Sequence, residues 1–223
     1  MAKNIVIIGD SWSTSERQGY VEGYKPLEFE LMNAYTNVYA KGHGGSNNLY
    51  ELYQFYYFLS NINFKVDHVI WFHTELMRDV SCLGDNYGHM TVDQYLDRIA
   101  EYTYNIARGI HSEYPKIKWT IIGGHEPIVR RKDLLSFATV LIEDWRSELL
   151  GRKMPYANFL GHIGHLEKNI KQIGVQRIEE EIDKRDTIMK ACEECKELFY
   201  DGIHPNSKAY NMLAQRLKLL LKL

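Results

Sequence analysis

A serine directly after Gly9-Asp10, and an aspartate and a histidine three positions apart near the other end of the chain, are the residues whose types and spacing could break an acyl bond. The first group, Gly9-Asp10-Ser11-Trp12-Ser13, follows a short β-branched run. Sheets of the open α/β kind gather ligands at the carboxyl ends of their strands, so a serine there stands where chemistry takes place. The second group is Asp201-Gly202-Ile203-His204-Pro205-Asn206. An Asp and a His on one tight turn set a carboxylate against one imidazole nitrogen and leave the other to face a nucleophile. Ser11, His204 and Asp201 thus make up a nucleophile, a base and an orienter. Each group alone has a plainer reading: a turn and helix cap at Gly9-Asp10-Ser11, and a helix start capped by Asn206 beside an incidental histidine.

Other segments carry weaker signals. Gly42-His43-Gly44-Gly45-Ser46-Asn47-Asn48 is a glycine-rich loop, but it lacks the spacing of a dinucleotide fingerprint and a Walker lysine. Gly123-Gly124-His125-Glu126-Pro127 would end a strand on the same edge as Ser11, so His125 either lines a pocket or is a plain turn residue. His162 and His165 lack a nearby completing ligand and read as surface histidines. Cys192-x-x-Cys195 sits in a charged stretch with neither a second pair nor a βαβ context, which argues against zinc or redox work. No metal and no cofactor is expected.

Elements that would position these residues follow from periodicity. Asn4 to Ile8, Thr36 to Ala40, Val66 to Phe72 and Lys118 to Ile122 read as strands, most of them fully buried. Between them, helical spacing appears after Pro26 (Leu27, Leu31, Ala34), after Ser46 or Asn47 (Leu49, Leu52, Phe55, Tyr56, Leu59) and from about Thr91 to Tyr114 (Tyr95, Ile99, Tyr102, Ile106, Ile110). Strand and helix alternate, which predicts a parallel sheet with helices on both faces. From 127 to 199 the charge rises and no buried strand is evident, so this stretch is expected to be a helical insertion or cap within one domain spanning 1 to 223. Arg177 to Lys190, with nine charged residues in fourteen, reads as a solvated helix face. Ser207 to Leu223 closes as a helix with Tyr210, Leu213, Leu217 and Leu220 on one side.

Composition narrows the partners. With 27 basic and 29 acidic residues the net charge is -2, so no global field favours nucleic acid or an anionic membrane. Three cysteines in 223 residues do not make a disulfide framework. No secretory signal or membrane span is read from the sequence, so a cytoplasmic location is expected. Sixteen tyrosines, and aromatics such as Trp12, Tyr20, Tyr24 and Trp71 near the expected crevice, suggest flat faces for a polar, sugar-like ligand.

Taken jointly, the motifs resemble the SGNH, or GDSL, hydrolases. Gly9-Asp10-Ser11 is similar to their first block, the loop from Gly42 to Asn48 to their second, and Asp201 to His204 to their last. The resemblance spans the chain in the family's order, and is nearest to SGNH-like proteins of bacteriophages. It implies a flavodoxin-like three-layer α/β/α sandwich with a parallel central sheet and hydrolysis of an O-acyl ester, O-acetyl by preference, of a carbohydrate or other small polar acceptor. Ser11 would attack, His204 would shuttle the proton and Asp201 would orient the imidazole. The backbone N–H of Ser11 and of Gly45, or else Gly44, would hold the oxyanion. Asp10, Trp12, Glu75 and His125 would line the substrate crevice. One departure stands out: near Trp71-Phe72-His73-Thr74-Glu75 the family's third block carries an Asn, and this chain has none. Glu75 at that place would repel an oxyanion, leaving Thr74 or Asn47 to supply the missing donor. The altered block also allows a catalytically weak binding or structural protein of phage origin, with virion association if phage-encoded. The oligomeric state stays open.

Overall fold

The computed structural model describes residues 3–13, 26–76, 78–79, 91–124, 127–155, 175–199 and 204–223. Five strands, β1 (Lys3–Ile8), β2 (Thr36–Ala40), β3 (His68–His73), β4 (Lys118–Gly123) and β5 (Thr139–Ile142), pair in parallel in the order β2-β1-β3-β4-β5. This is the flavodoxin-like doubly wound order. Among the described residues six α-helices accompany them: α1 (Leu27–Leu31), α2 (Asn48–Asn61), α3 (Val92–Glu113), α4 (Trp145–Leu150), α5 (Val175–Glu194) and α6 (Ser207–Leu221).

Period-two alternation in the strands splits the core into two halves. Ile5, Ile7, Ile70, Phe72, Ile122 and Ile142 point to one face, where α1, α4, α5 and α6 cover them. Val6, Ile8, Val69, Trp71, Trp119 and Ile121 point to the other, under α2 and α3. The result is the three-layer sandwich. Both faces of β1 and β3 are covered over Ile5–Ile8 and Val69–Phe72, which is why these stretches run apolar without a break. Helix starts are set by side chains: Asn47 accepts from the Tyr50 N–H, Thr91 and Gln94 form a capping box, and Asn206 accepts from the N–H groups of Lys208 and Ala209.

Several sequence expectations are corrected. The stretch 127–199 does hold a strand: β5 extends the sheet at the β4 edge, and α4 packs Trp145 and Leu149 into the core. Helix α1 is a five-residue turn, and Ala34 lies beyond it, exposed. In α3, Tyr102 faces solvent while Tyr104 is buried along with Tyr95; in α6, Leu221 takes the buried place expected of Leu220; Tyr56 of α2 is exposed. Among the described residues no helix is long and apolar enough to cross a membrane.

Candidate active site

The carboxyl ends of β1, β2 and β3 carry three loops that meet. Gly9 has φ +137, and a Cβ there would lie 2.6 Å from the Phe72 carbonyl oxygen, so only glycine lets β1 turn this close to β3. Asp10 then organises the turn that carries Ser11: its Oδ1 accepts from the Trp12 N–H at 3.0 Å and its carbonyl from the Ser13 N–H and hydroxyl. This fixes Ser11 at the turn's apex, nearly buried. From the far end of the chain, Pro205 bridges Phe199, and Asn206 bonds the carbonyls of Leu198 and Glu197. These contacts hold His204 so that its Nε2 stands 2.9 Å from Ser11 Oγ. Asn206 caps α6 as well, as the plainer reading of this turn expects. Asp201 and His125 lie outside the described residues, as do Tyr20, Tyr24, His162 and His165.

The second loop carries candidate backbone donors. His43 to Ser46 form a turn closed by Ser46 N–H to the His43 carbonyl, with Gly45 at φ +77. No described residue accepts from the N–H of Ser11, Gly44 or Gly45. Loops one and two are locked by Glu51, a fully buried carboxylate on α2: the Gly9 N–H donates to one oxygen at 3.3 Å, the His43 N–H to the other at 3.2 Å, and His43 Nδ1 is 3.1 Å away. Burial raises the Glu51 pKa against the pull of these hydrogen bonds.

The side-chain donors expected to complete the hole are committed elsewhere. Thr74 donates its hydroxyl to Asp10 Oδ2 at 2.6 Å. Asn47 caps α2 through its oxygen and donates its amide to the Arg78 carbonyl at 3.3 Å. Glu75, buried, is ion-paired at 2.5 Å with Arg78 Nε. Arg78 also donates to the Ser46 carbonyl and lies 3.7 Å from Asp10, so one guanidinium spans all three loops. Burial works to lower the Arg78 pKa, but Glu75, Asp10 and Asp79 more than offset it and leave it raised. The repulsion foreseen for Glu75 is answered by this cation. Behind it, Asn48 bonds both backbone groups of Thr74 and, with the Leu49 N–H, donates to Asp79, whose pKa burial pushes up to about 7.

Trp12 is also placed differently from its expected crevice role. It is 0% exposed, edge-on to Trp145 at 5.5 Å and beneath the guanidinium of Arg146. Trp71 is equally buried, so neither indole offers a face to a sugar. Sequence reading passed over Asn48, Glu51, Arg78, Asp79 and Arg146. Asn48 and Glu51 had a usable signal: with Leu52, Phe55 and Leu59 they fall on the inward face of α2, where a polar residue needs a buried partner.

Loop one and loop two touch so closely that Gly42 has no room for a side chain: a Cβ would meet Ser13 Oγ at 1.9 Å and the Gly9 carbonyl at 2.5 Å. Gly42→Ala is expected to destabilise the protein by about 1–3 kcal/mol, read as a lower urea midpoint, and to displace the Ser11 turn.

No protein-family model and no curated protein matches the chain. Among solved structures it is similar to a member of the lipolytic protein G-D-S-L family from Veillonella parvula DSM 2008, at 13% identity over 100% of both chains with a TM-score of 0.47. It is similar to an acetyl xylan esterase, AlAXEase, at 15% identity over 98% of this chain and 99% of that one, TM-score 0.44. A third is LAE5, an alpha/beta hydrolase enzyme from the metagenome of Lake Arreo, Spain, at 12% identity over 98% and 95%, TM-score 0.41.

Proposed function

We propose that the chain is a serine esterase of the SGNH type that hydrolyses a small O-acyl ester, O-acetyl by preference, through an acyl-enzyme. The observation that carries this reading is the 2.9 Å contact between His204 Nε2 and Ser11 Oγ at the carboxyl edge of the sheet. Ser11 Oγ attacks the ester carbonyl while its proton passes to His204 Nε2. The carbonyl oxygen becomes an oxyanion facing the N–H groups of Ser11 and Gly45, each such donor being worth about 2.7–4 kcal/mol of transition-state stabilisation. Collapse breaks the bond to the alcohol, which leaves with the proton from His204. Water then attacks the acyl-serine with His204 again as base, releasing the acid and restoring Ser11. Asp201 orients the imidazole from the other side.

Thr74 and Asn47 serve in this reading as scaffold, holding Asp10 and α2, while the Glu75–Arg78 pair replaces the family's amide with a neutralised couple. That replacement is also the observation favouring the second reading, a binding protein of the same fold with little turnover. The wild-type protein is expected to react with a fluorophosphonate probe at Ser11 and to hydrolyse p-nitrophenyl acetate. A folded protein that does neither leaves the binding reading standing and removes the esterase one.

A further inference from the structure

Glu51 is the one charged residue of α2, and it is turned inward with Leu52, Phe55 and Leu59. A carboxylate in such a place costs stability unless donors surround it. The donors here come from two loops. The Gly9 N–H reaches one oxygen at 3.3 Å and the His43 N–H the other at 3.2 Å, and the Ser46 hydroxyl bonds the same carboxylate. The His43 N–H is shared, because it also donates to the Gly9 carbonyl at 3.0 Å. Gly9 is thus gripped on both sides: Glu51 takes its N–H, and His43, itself held by Glu51, takes its carbonyl. The three residues close a ring that joins the end of β1, the second loop and the first turn of α2.

That ring sits where the chain could pivot. Up to Ile8 the backbone is fixed by pairing with β3, and from Asp10 to Ser13 it is fixed by the bonds of its own turn. Gly9, between them, belongs to neither, and at φ +137 it is in the region that glycine alone enters freely. A small rotation there would swing Ser11 away from His204, which is anchored separately through Pro205 and Asn206. We propose that Glu51 is a positioning residue for Ser11, acting through the Gly9 peptide and touching neither the ester nor the proton that Ser11 gives up. What Ser11 does rests on the esterase reading; the grip on Gly9 stands on the contacts themselves.

Glu51→Gln and Glu51→Met test it, being alike in size and different in whether an acceptor remains for the Gly9 N–H. Gln can turn its oxygen to Gly9 and its amide to His43 Nδ1, so kcat on p-nitrophenyl acetate is expected to stay within about fivefold of wild type. Met leaves Gly9 without that acceptor, and kcat is expected to fall about 10- to 100-fold while KM moves less than about threefold, the mark of a misplaced reacting group. Fluorophosphonate labelling should slow in the same order. A Met variant as active as the Gln one would mean that Glu51 only fills space, and a Gln variant as poor as Met, or a loss confined to KM, would equally overturn the proposal. If Met does not fold, as judged by circular dichroism, hydrogen exchange of the Gly9 amide decides: it should be slow in wild type and Gln variant, and exchange as fast as at an exposed amide would sink the idea. Failure of the esterase reading looks different. Folded wild type then neither labels nor turns over, while the Gly9 amide stays protected in wild type and in the Gln variant.

Discussion

Ser11→Ala is expected to lower kcat on p-nitrophenyl acetate by about 10⁴-fold or more and to abolish fluorophosphonate labelling. The size follows from the geometry: Ser11 Oγ is the group that His204 Nε2 touches, and removing it leaves only the backbone N–H donors to act on bound ester. His204→Ala should cost about as much, and the double variant little more than either single one, because nucleophile and base act as a unit. Asp201→Asn, which reverses the hydrogen-bond sense offered to the imidazole, should cost on the order of 10⁴ in kcat with the fold intact. A His204→Ala protein labelled as fast as wild type would show that another group takes the serine proton.

A second large effect concerns stability against acid. His73 is fully buried with its Nε2 3.0 Å from the Tyr104 hydroxyl, and burial drives its pKa down to about 3. His68, 2.7 Å from the Thr120 hydroxyl, is lowered to about 4 by burial and by the Lys118 and Lys3 charges. Below pH 6.5 the unfolded chain protonates these imidazoles while the folded one does not. The unfolded state then binds more protons, so stability falls as pH drops from 6.5 toward 4. Each histidine contributes roughly 2–3 kcal/mol of loss by pH 4.5. Asp79 has the opposite sign: raised to about 7, it stays protonated in the fold while the unfolded chain ionises, so its contribution improves as pH falls from 7 toward 4. The wild-type profile is the difference between these slopes. A His68→Gln/His73→Gln variant is therefore expected to gain on wild type by several kcal/mol between pH 7 and pH 4.5, whatever its cost at pH 7. Urea midpoints at the two pH values measure it; parallel profiles would mean that the histidines protonate without unfolding.

Much of the sandwich was legible because its central strands carry the plainest of patterns. Runs such as Ile5 to Ile8 have no polar face, and helices such as α3 begin at a capping pair visible three residues apart. Strand β5 was not legible: it is a four-residue edge strand, exposed at Thr139 and fully buried only at Ile142, and an apolar run as short as Val140-Leu141-Ile142 does not tell strand from helix by periodicity. Ser11 and His204 could be found because they sit at element ends where few residue types fit. The Trp12 role could not, since a tryptophan next to Ser11 looks the same in sequence whether it points to solvent or into the core. Arg78 and Asp79 were hidden for another reason. They act through partners on loops distant in the chain, Ser46, Asp10 and Asn48, and no local spacing announces such a pairing.

The clash that excludes a side chain at Gly42 has an evolutionary side. Ser13 Oγ occupies the volume a residue at 42 would need, and the Gly9 carbonyl closes what remains. Positions 9, 13 and 42 therefore drift as one locus: a larger residue at 42 becomes neutral only on a background that has already given up the Ser13 hydroxyl and moved the Gly9 peptide. Change is channelled away from this junction, toward exposed residues beside it such as Tyr50, which meets His43 edge-on at 5.4 Å without entering the packed volume.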